Sequence, residues 1–172
     1  MLLGPVLQTA YTTRDIDRAC AQMGERYGVH QFLRAGPVDV ETDAGETMTL
    51  KLAHAWLGPT WLEIIQPLGG APLYSDWLPA ASSCLRLHHV GVRLPDLQAW
   101  RDMLREAERA GVRMPLSLTK NRAQRYGYLD TIEELGHYLE YLFIPDAHQT
   151  MMADMPQNIP GQQIDINRLG IS

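Results

Sequence analysis

The sequence predicts an α+β fold in which a strand, a helix and three further strands occur twice in tandem, as a pair of βαβββ modules. Three observations predict it: the halves open on matching strand-to-helix stretches, they close on matching strands, and a Pro-, Gly- and Ser-rich joint separates them. The composition agrees, since 172 residues with 45% apolar and 20% charged side chains suit a single globular domain with a sizeable core.

Module 1 runs from about residue 5 to 67. Its opening, "QTAYTTRDID" from Gln8, aligns with "HVGVRLPDLQ" from His89, so that Asp15 falls on Asp96 and Ile16 on Leu97. Each stretch reads as a short strand ending on an Asp N-cap, whose carboxylate satisfies the free amides of a helix's first turn. Behind Asp15, the residues Ile16, Ala19, Cys20, Met23 and Tyr27 share a helical face, and Gly28 supplies a stop. Behind Asp96, Leu97, Trp100, Leu104 and Ala107 do the same, with Gly111 as the stop. "FLRAGPVDV" and "TMTLKLAHAW" then flank a turn at Asp43-Ala44-Gly45, and "TWLEIIQP" closes the module.

The linker, residues 68–86, has room for one helical turn around Leu73 to Leu78. Module 2 spans residues 87–145, with "VRMPLSL" and "RYGYLDT" flanking a polar loop. It closes on "HYLEYLFIP", which repeats Leu62-Glu63 as Leu139-Glu140. The tail, residues 146–172, has no clear period. Crossing onto a neighbouring subunit and loose ordering both remain open for it.

A net charge of −5 argues against nucleic acid or an anionic membrane as the main partner. The start, "MLLGPVLQTAYTT", lacks a basic segment and is too short for a signal peptide or a spanning helix, so a cytoplasmic protein is expected. Two cysteines, Cys20 and Cys84, are too few for a disulfide framework, and Cys20 on an apolar helical face reads as a reduced core residue rather than a catalytic thiol.

Strand alternation sorts the polar residues by face. In "LHHVGVRL", His88, Val90, Val92 and Leu94 share the side expected to pack on the helix, which makes His88 a core or supporting residue. His89, Gly91 and Arg93 take the other, concave side. In the first copy that side carries Gln8, Ala10 and Thr12, and in the closing strands it carries Glu63 and Glu140. Gln8, Glu63, His89 and Glu140 thus converge from the first and last strands of both modules. Taken singly, each reads as a hydrogen-bonded core or groove residue. Taken together, two carboxylates on a concave face call for neutralisation, which one divalent metal ion supplies: one imidazole nitrogen, two carboxylates and one amide oxygen leave positions open for water or substrate.

The paired modules, with "HHVGVRLPDL" opening the second and Leu-Glu closing each, resemble the vicinal oxygen chelate superfamily, which includes glyoxalase I, methylmalonyl-CoA epimerase, extradiol dioxygenases and bleomycin-resistance proteins. The resemblance covers about residues 5 to 145 and implies the glyoxalase fold, a curved mixed sheet around a central cavity. It implies Gln8, Glu63, His89 and Glu140 as metal ligands, for Zn, Ni, Co or Mn. Gln-Glu-His-Glu resembles the quartet of one branch of glyoxalase I. The epimerases place His first and Gln second, so positions 8 and 63 depart from them, and the two-histidine, one-glutamate iron site of extradiol dioxygenases does not fit Gln8. The linker "QPLGGAPLYSDWLPAASSCLRLHHVGV" resembles that of the epimerases, while Thr12 stands where glyoxalase I has an arginine for the glutathione carboxylate.

The chemistry implied is that of a lyase or isomerase that abstracts and returns a proton next to a metal-bound carbonyl of a small organic or acyl-CoA substrate, with Glu140 as first candidate for base and Glu63 as second. The alternative is a metal-free protein that sequesters a ligand without turnover or, less favoured because Gln8 stands in the first slot, an extradiol-type dioxygenase. Glu46 reads as a solvated turn residue rather than an extra acid. Lys120, Arg122 and Arg125 form a basic run suited to a carboxylate or the phosphates of a CoA ester, against the reading of a solvated loop. Trp61, Tyr138 and either Tyr126 or Tyr128 are candidates to line the cavity. His30, His54, His137 and His148 read as structural or surface residues. A homodimer is implied by the resemblance alone.

Overall fold

The computed structural model describes residues 4–70, 72–81 and 85–159. Cys84 and residues 160–172 of the tail lie outside these. Module 1 consists of β1 (Val6–Thr12), α1 (Ile16–Tyr27), β2 (Leu33–Glu41), β3 (Thr47–Leu57) and β4 (Thr60–Gly69). A short helix, α2 (Pro72–Ser75), lies in the linker. Module 2 consists of β5 (Arg86–Arg93), α3 (Leu97–Ala110), β6 (Leu116–Lys120), β7 (Gln124–Leu129) and β8 (Tyr138–Phe143), with a helical turn, α4 (Ile132–Leu135), between its last two strands.

The eight strands form one mixed sheet in the order β2-β3-β4-β1-β5-β8-β7-β6. Within each module the first strand pairs parallel with the last, and β1 pairs antiparallel with β5 where the modules join. The sheet curls until its ends nearly meet: the Asp43 amide donates to the Ser117 carbonyl at 2.9 Å, and Ser117 Oγ donates to Asp43 Oδ2 at 2.8 Å. A βαβββ repeat of parallel first and last strands is therefore what the two halves of the sequence encode.

Both helices begin and end as their sequences dictate. Asp15 accepts from the amides of Asp17 and Arg18, Asp96 accepts from that of Ala99, and Gly28 and Gly111 close the helices in the left-handed conformation. Each helix covers the convex side of its own module. Ile16, Ala19 and Cys20 pack on Ala53 and Ile64, while Trp100, Met103 and Ala107 pack on Val92, Leu139 and Tyr141. Two expected core residues are not buried. Tyr27 is 67% exposed because Val29, beyond the Gly28 turn, takes the next inward place, and Leu97 is 40% exposed because Met103 fills the helix's inner face.

The described part of the tail, residues 146–159, packs on its own chain. After a helical turn at 146–148, α5 (Thr150–Asp154) and β9 (Gln157–Ile159) fold back on module 1, where β9 pairs parallel with the end of β3. Met155 is buried with Trp61, Leu142 and Ile144, and the Trp56 indole donates to the Met152 carbonyl at 2.8 Å. Among the described residues no helix is long and apolar enough to cross a membrane.

Candidate active site

The concave side of the sheet encloses a cavity of about 500 Å³ to which both modules contribute. Its walls are mostly apolar, with Val38, Leu52, Ile65, Leu118 and Met151 among them beside Asp39, Glu41 and Lys120, and its floor carries Gln8, Glu63 and Glu140. Register puts these side chains there. Glu63 stands beside Ala10 in the β1/β4 pairing, Glu140 stands beside Gly91 in β5/β8, and Gln8 faces Gly91 across β1/β5. Their chain neighbours Leu62, Ile64, Leu139 and Tyr141 point to the helices, as alternation requires.

Glu63 and Glu140 meet at the imidazole of His89, which is wholly buried, and Gln8 joins them through Glu63. Its Nε2 lies 3.3 Å from Glu140 Oε2 and 3.5 Å from Glu63 Oε2, and Gln8 Nε2 donates to Glu63 Oε2 at 2.9 Å. Burial by itself would pull the imidazolium down, but Glu140 and Glu63 outweigh it and raise His89 to about 9. Burial likewise pushes the Glu63 carboxyl up, and its contacts with His89 and His54 outweigh that and bring it below its usual value. His89 is therefore an imidazolium at neutral pH, held between two carboxylates.

Gln8 Oε1 is buried without a hydrogen-bond partner, and His89 Nε2, although in ion-pair contact with both carboxylates, makes no well-formed hydrogen bond to either. Such orphans are costly unless something completes them. Among the described residues no three His, Cys, Asp or Glu side chains stand ready-spread as a metal cage. The imidazole and carboxylates touch one another, and a divalent cation in place of the imidazolium proton would bring the net charge of the site from −1 to zero while giving Gln8 Oε1 and His89 Nε2 a partner. A neutral imidazole, an amide oxygen and two carboxylates suit such an ion by donor type.

His88 is not in the helix-facing core that plain alternation predicts. Ala10 pairs with His89 and Tyr11 with Leu87, leaving His88 as the extra residue of a β-bulge. A bulge turns two successive side chains to one side of the sheet. His88 consequently joins His89 on the concave side, with its ring stacked on Tyr74 of α2 at 4.7 Å and its Nδ1 2.8 Å from His89 Nδ1. Burial, reinforced by the neighbouring His89, holds His88 well below the usual imidazole value. Tyr74 Oη donates to Tyr128 Oη at 2.8 Å, and the Tyr128 ring meets His89 edge-on at 5.0 Å.

His54, read from the sequence as structural or surface, belongs to this site. It is 3% exposed, lies directly opposite Glu63 in the β3/β4 pairing and places Nδ1 3.6 Å from Glu63 Oε1. Trp61 Nε1 donates to that nitrogen at 3.2 Å, and burial, outweighing the Glu63 charge, keeps His54 below its usual value. The tight connection after Leu57 fixes this register, so counting outward from it pairs Trp56 with Trp61 and His54 with Glu63; the signal was present in the sequence.

Among the remaining candidates, Trp61, Lys120, Tyr126 and Tyr128 line the cavity, with Lys120 at its exposed rim. Arg122 and Arg125 do not. Arg122 sits exposed in the β6/β7 turn, and Arg125 is opposite Thr119, its Nη1 donating to the Gln124 carbonyl. Tyr138 packs under the site, its ring 5.1 Å from that of His88 and 6.1 Å from that of Trp77. Glu46 is an exposed turn residue.

No protein-family model matches the chain, and no curated protein matches it by sequence. Solved structures do match. A Streptomyces coelicolor methylmalonyl-CoA epimerase variant in complex with 2-nitronate-propionyl-CoA superposes with a TM-score of 0.57 at 16% identity, over 86% of this chain and 99% of that one. The epimerase of Mycobacterium tuberculosis gives 0.55 at 15% identity over 89% and 97%, and a hypothetical protein of Bacillus halodurans gives 0.54 at 13% over 83% and 95%. With its paired βαβββ modules curled around one cavity, the chain carries the fold of the vicinal oxygen chelate superfamily.

Proposed function

We propose that the protein is a metal-dependent epimerase or lyase that moves a proton on the carbon next to a substrate carbonyl. The observation that carries this reading is the meeting of Glu63 and Glu140 at His89 Nε2, with Gln8 bonded to Glu63 and its Oε1 buried without a partner. The same four residues would hold the ion, which when bound supplies Lewis-acid polarisation of the carbonyl.

Proton transfer falls to the carboxylates. Glu63 is tied by Gln8 and His54 as well as by His89, whereas Glu140 meets the imidazole from the other module with fewer ties. Glu140 is thus the freer to take the proton and return it, and Glu63 is the second candidate. The mostly apolar walls lower the local polarity and strengthen each electrostatic contact at the floor. They suit a substrate with a largely apolar body, while Lys120 at the rim suits an anionic group on it. The fold's likeness to epimerases, one of them solved with an acyl-CoA analogue, supports 2-branched acyl-CoA esters as first substrates to try.

The test is hydrogen exchange. Protein supplied with Zn, Ni, Co or Mn is incubated in D2O with 2-branched acyl-CoA esters and apolar ketones, and deuterium at the carbon next to the carbonyl is read by mass spectrometry. Incorporation that a chelator and Glu140→Gln both abolish supports the reading. No incorporation into any of them, with the ligand nonetheless bound, points to the sequestering protein instead.

A further inference from the structure

We infer that His88 is a positioning residue that fixes the tautomer of His89, through a hydrogen-bonded relay running from the linker helix α2 to the floor of the cavity. The inference rests on the metal reading proposed above and deepens it. Its geometry is a chain of three groups: the Leu73 carbonyl lies 3.0 Å from His88 Nε2, and His88 Nδ1 lies 2.8 Å from His89 Nδ1.

Hydrogen-bond inventory assigns the protons. A backbone carbonyl only accepts, so His88 Nε2 carries a hydrogen and donates to Leu73. His88 has zero exposure and sits among the rings of Tyr74, Tyr128 and Tyr138, an environment that keeps an imidazole neutral. A neutral imidazole has one N–H, already spent on Leu73, so His88 Nδ1 is an acceptor. Two nitrogens 2.8 Å apart need one hydrogen between them, which His89 Nδ1 supplies. The remaining nitrogen of His89, Nε2, is the one that faces Glu63 and Glu140.

The consequence concerns the site. With Nδ1–H engaged by His88, the neutral tautomer of His89 that this bonding allows has its hydrogen on Nδ1 and a bare Nε2. The lone pair then points at the carboxylates, where the ion would sit, and the ring cannot rotate away without breaking the bond to His88. Outer partners of this kind orient a ligating imidazole, and their loss typically weakens metal binding about 10- to 100-fold. The bulge that displaces His88 from the helix side is what makes the relay possible.

Two measurements test it. Nitrogen-15 NMR of the full chain, metal-free above pH 9 and zinc-loaded at pH 7.5, is expected to show a protonated His89 Nδ1, a bare His88 Nδ1 and a through-hydrogen-bond coupling between them. A protonated His88 Nδ1 facing a bare His89 Nδ1 overturns the relay. In parallel, zinc titration of His88→Phe is expected to show affinity lower by about 10- to 100-fold. His88→Asn, whose amide oxygen can stand in for the accepting nitrogen, is expected to stay within about threefold of the parent on the same argument. Phe as good as the parent overturns the relay and leaves the metal reading standing. A parent chain that takes up no zinc, yet gives the expected NMR pattern, supports the relay and sinks the metal reading.

Discussion

The side chain of Gln8 occupies the space that a Cβ on Gly91 would need. A methyl group there would lie 2.7 Å from Gln8 Oε1 and 2.8 Å from Gln8 Cβ, with Leu142 Cδ2 at 3.1 Å. The two residues face each other where the modules join, so glycine at 91 is what leaves room for the Gln8 amide on the cavity floor, where it donates to Glu63.

Gly91→Ala should therefore expel Gln8 from the floor while leaving the sheet intact. Overpacking of this size costs about 1–3 kcal/mol of stability. The expected outcome is a lowered melting point together with weaker zinc binding in calorimetry. Unchanged zinc affinity would show that Gln8 is no ligand.

The pH dependence follows from His89. In metal-free protein its value is raised from 6.5 to about 9, so the stabilisation that the imidazolium gives is fully present below 6.5 and is lost as pH rises through about 9. The melting point of chelated protein should fall across that window. Zinc must displace the same proton, so its affinity should rise about tenfold per pH unit and level off near 9. A zinc affinity independent of pH between 7 and 8.5 contradicts this assignment.

The two glutamates should behave differently when made neutral. Glu140→Gln removes the proposed base, and exchange at the substrate carbon is expected to drop about 100- to 10,000-fold with the fold unchanged. Glu63→Gln disturbs the tie to Gln8 and His54 and is expected to weaken metal retention more than it slows metal-saturated exchange. The reverse pattern would exchange the two roles.

Met155 tests whether the returning tail is part of the structure in solution. It is 4% exposed against Trp61, Leu142 and Ile144, so Met155→Ala should cost about 2–5 kcal/mol, read by urea unfolding. A change below 0.5 kcal/mol, about the scatter of surface substitutions, would mean that the segment does not hold this position.

Much of this architecture is legible in the sequence because it is local and repeated. Asp15 with Gly28 and Asp96 with Gly111 mark both helices, and alternation in "WLEII" and "YLEYLF" puts Glu63 and Glu140 on the concave side. His88 departs from plain alternation because a bulge breaks the two-residue period and cannot be read from one strand alone. His54 finds its partner Glu63 through hairpin register, which spacing along the chain does not show. Arg122 and Arg125 share a loop with Lys120, yet only Lys120 lines the cavity, since pairing of Thr119 with Arg125 and of Lys120 with Gln124 sorts the loop's bases to different faces. The tail's return onto β3 depends on contacts with Trp56 and Trp61, nearly a hundred residues away, which no local pattern reveals.

The central claim is that Gln8, Glu63, His89 and Glu140 hold one divalent ion. Elemental analysis of protein purified without chelator, paired with zinc titration of parent and His89→Ala, tests it most directly. The account predicts one ion per chain in the parent, lost on removal of the sole nitrogen donor. A folded parent that holds no Zn, Ni, Co or Mn, and that none of them stabilises, would contradict it.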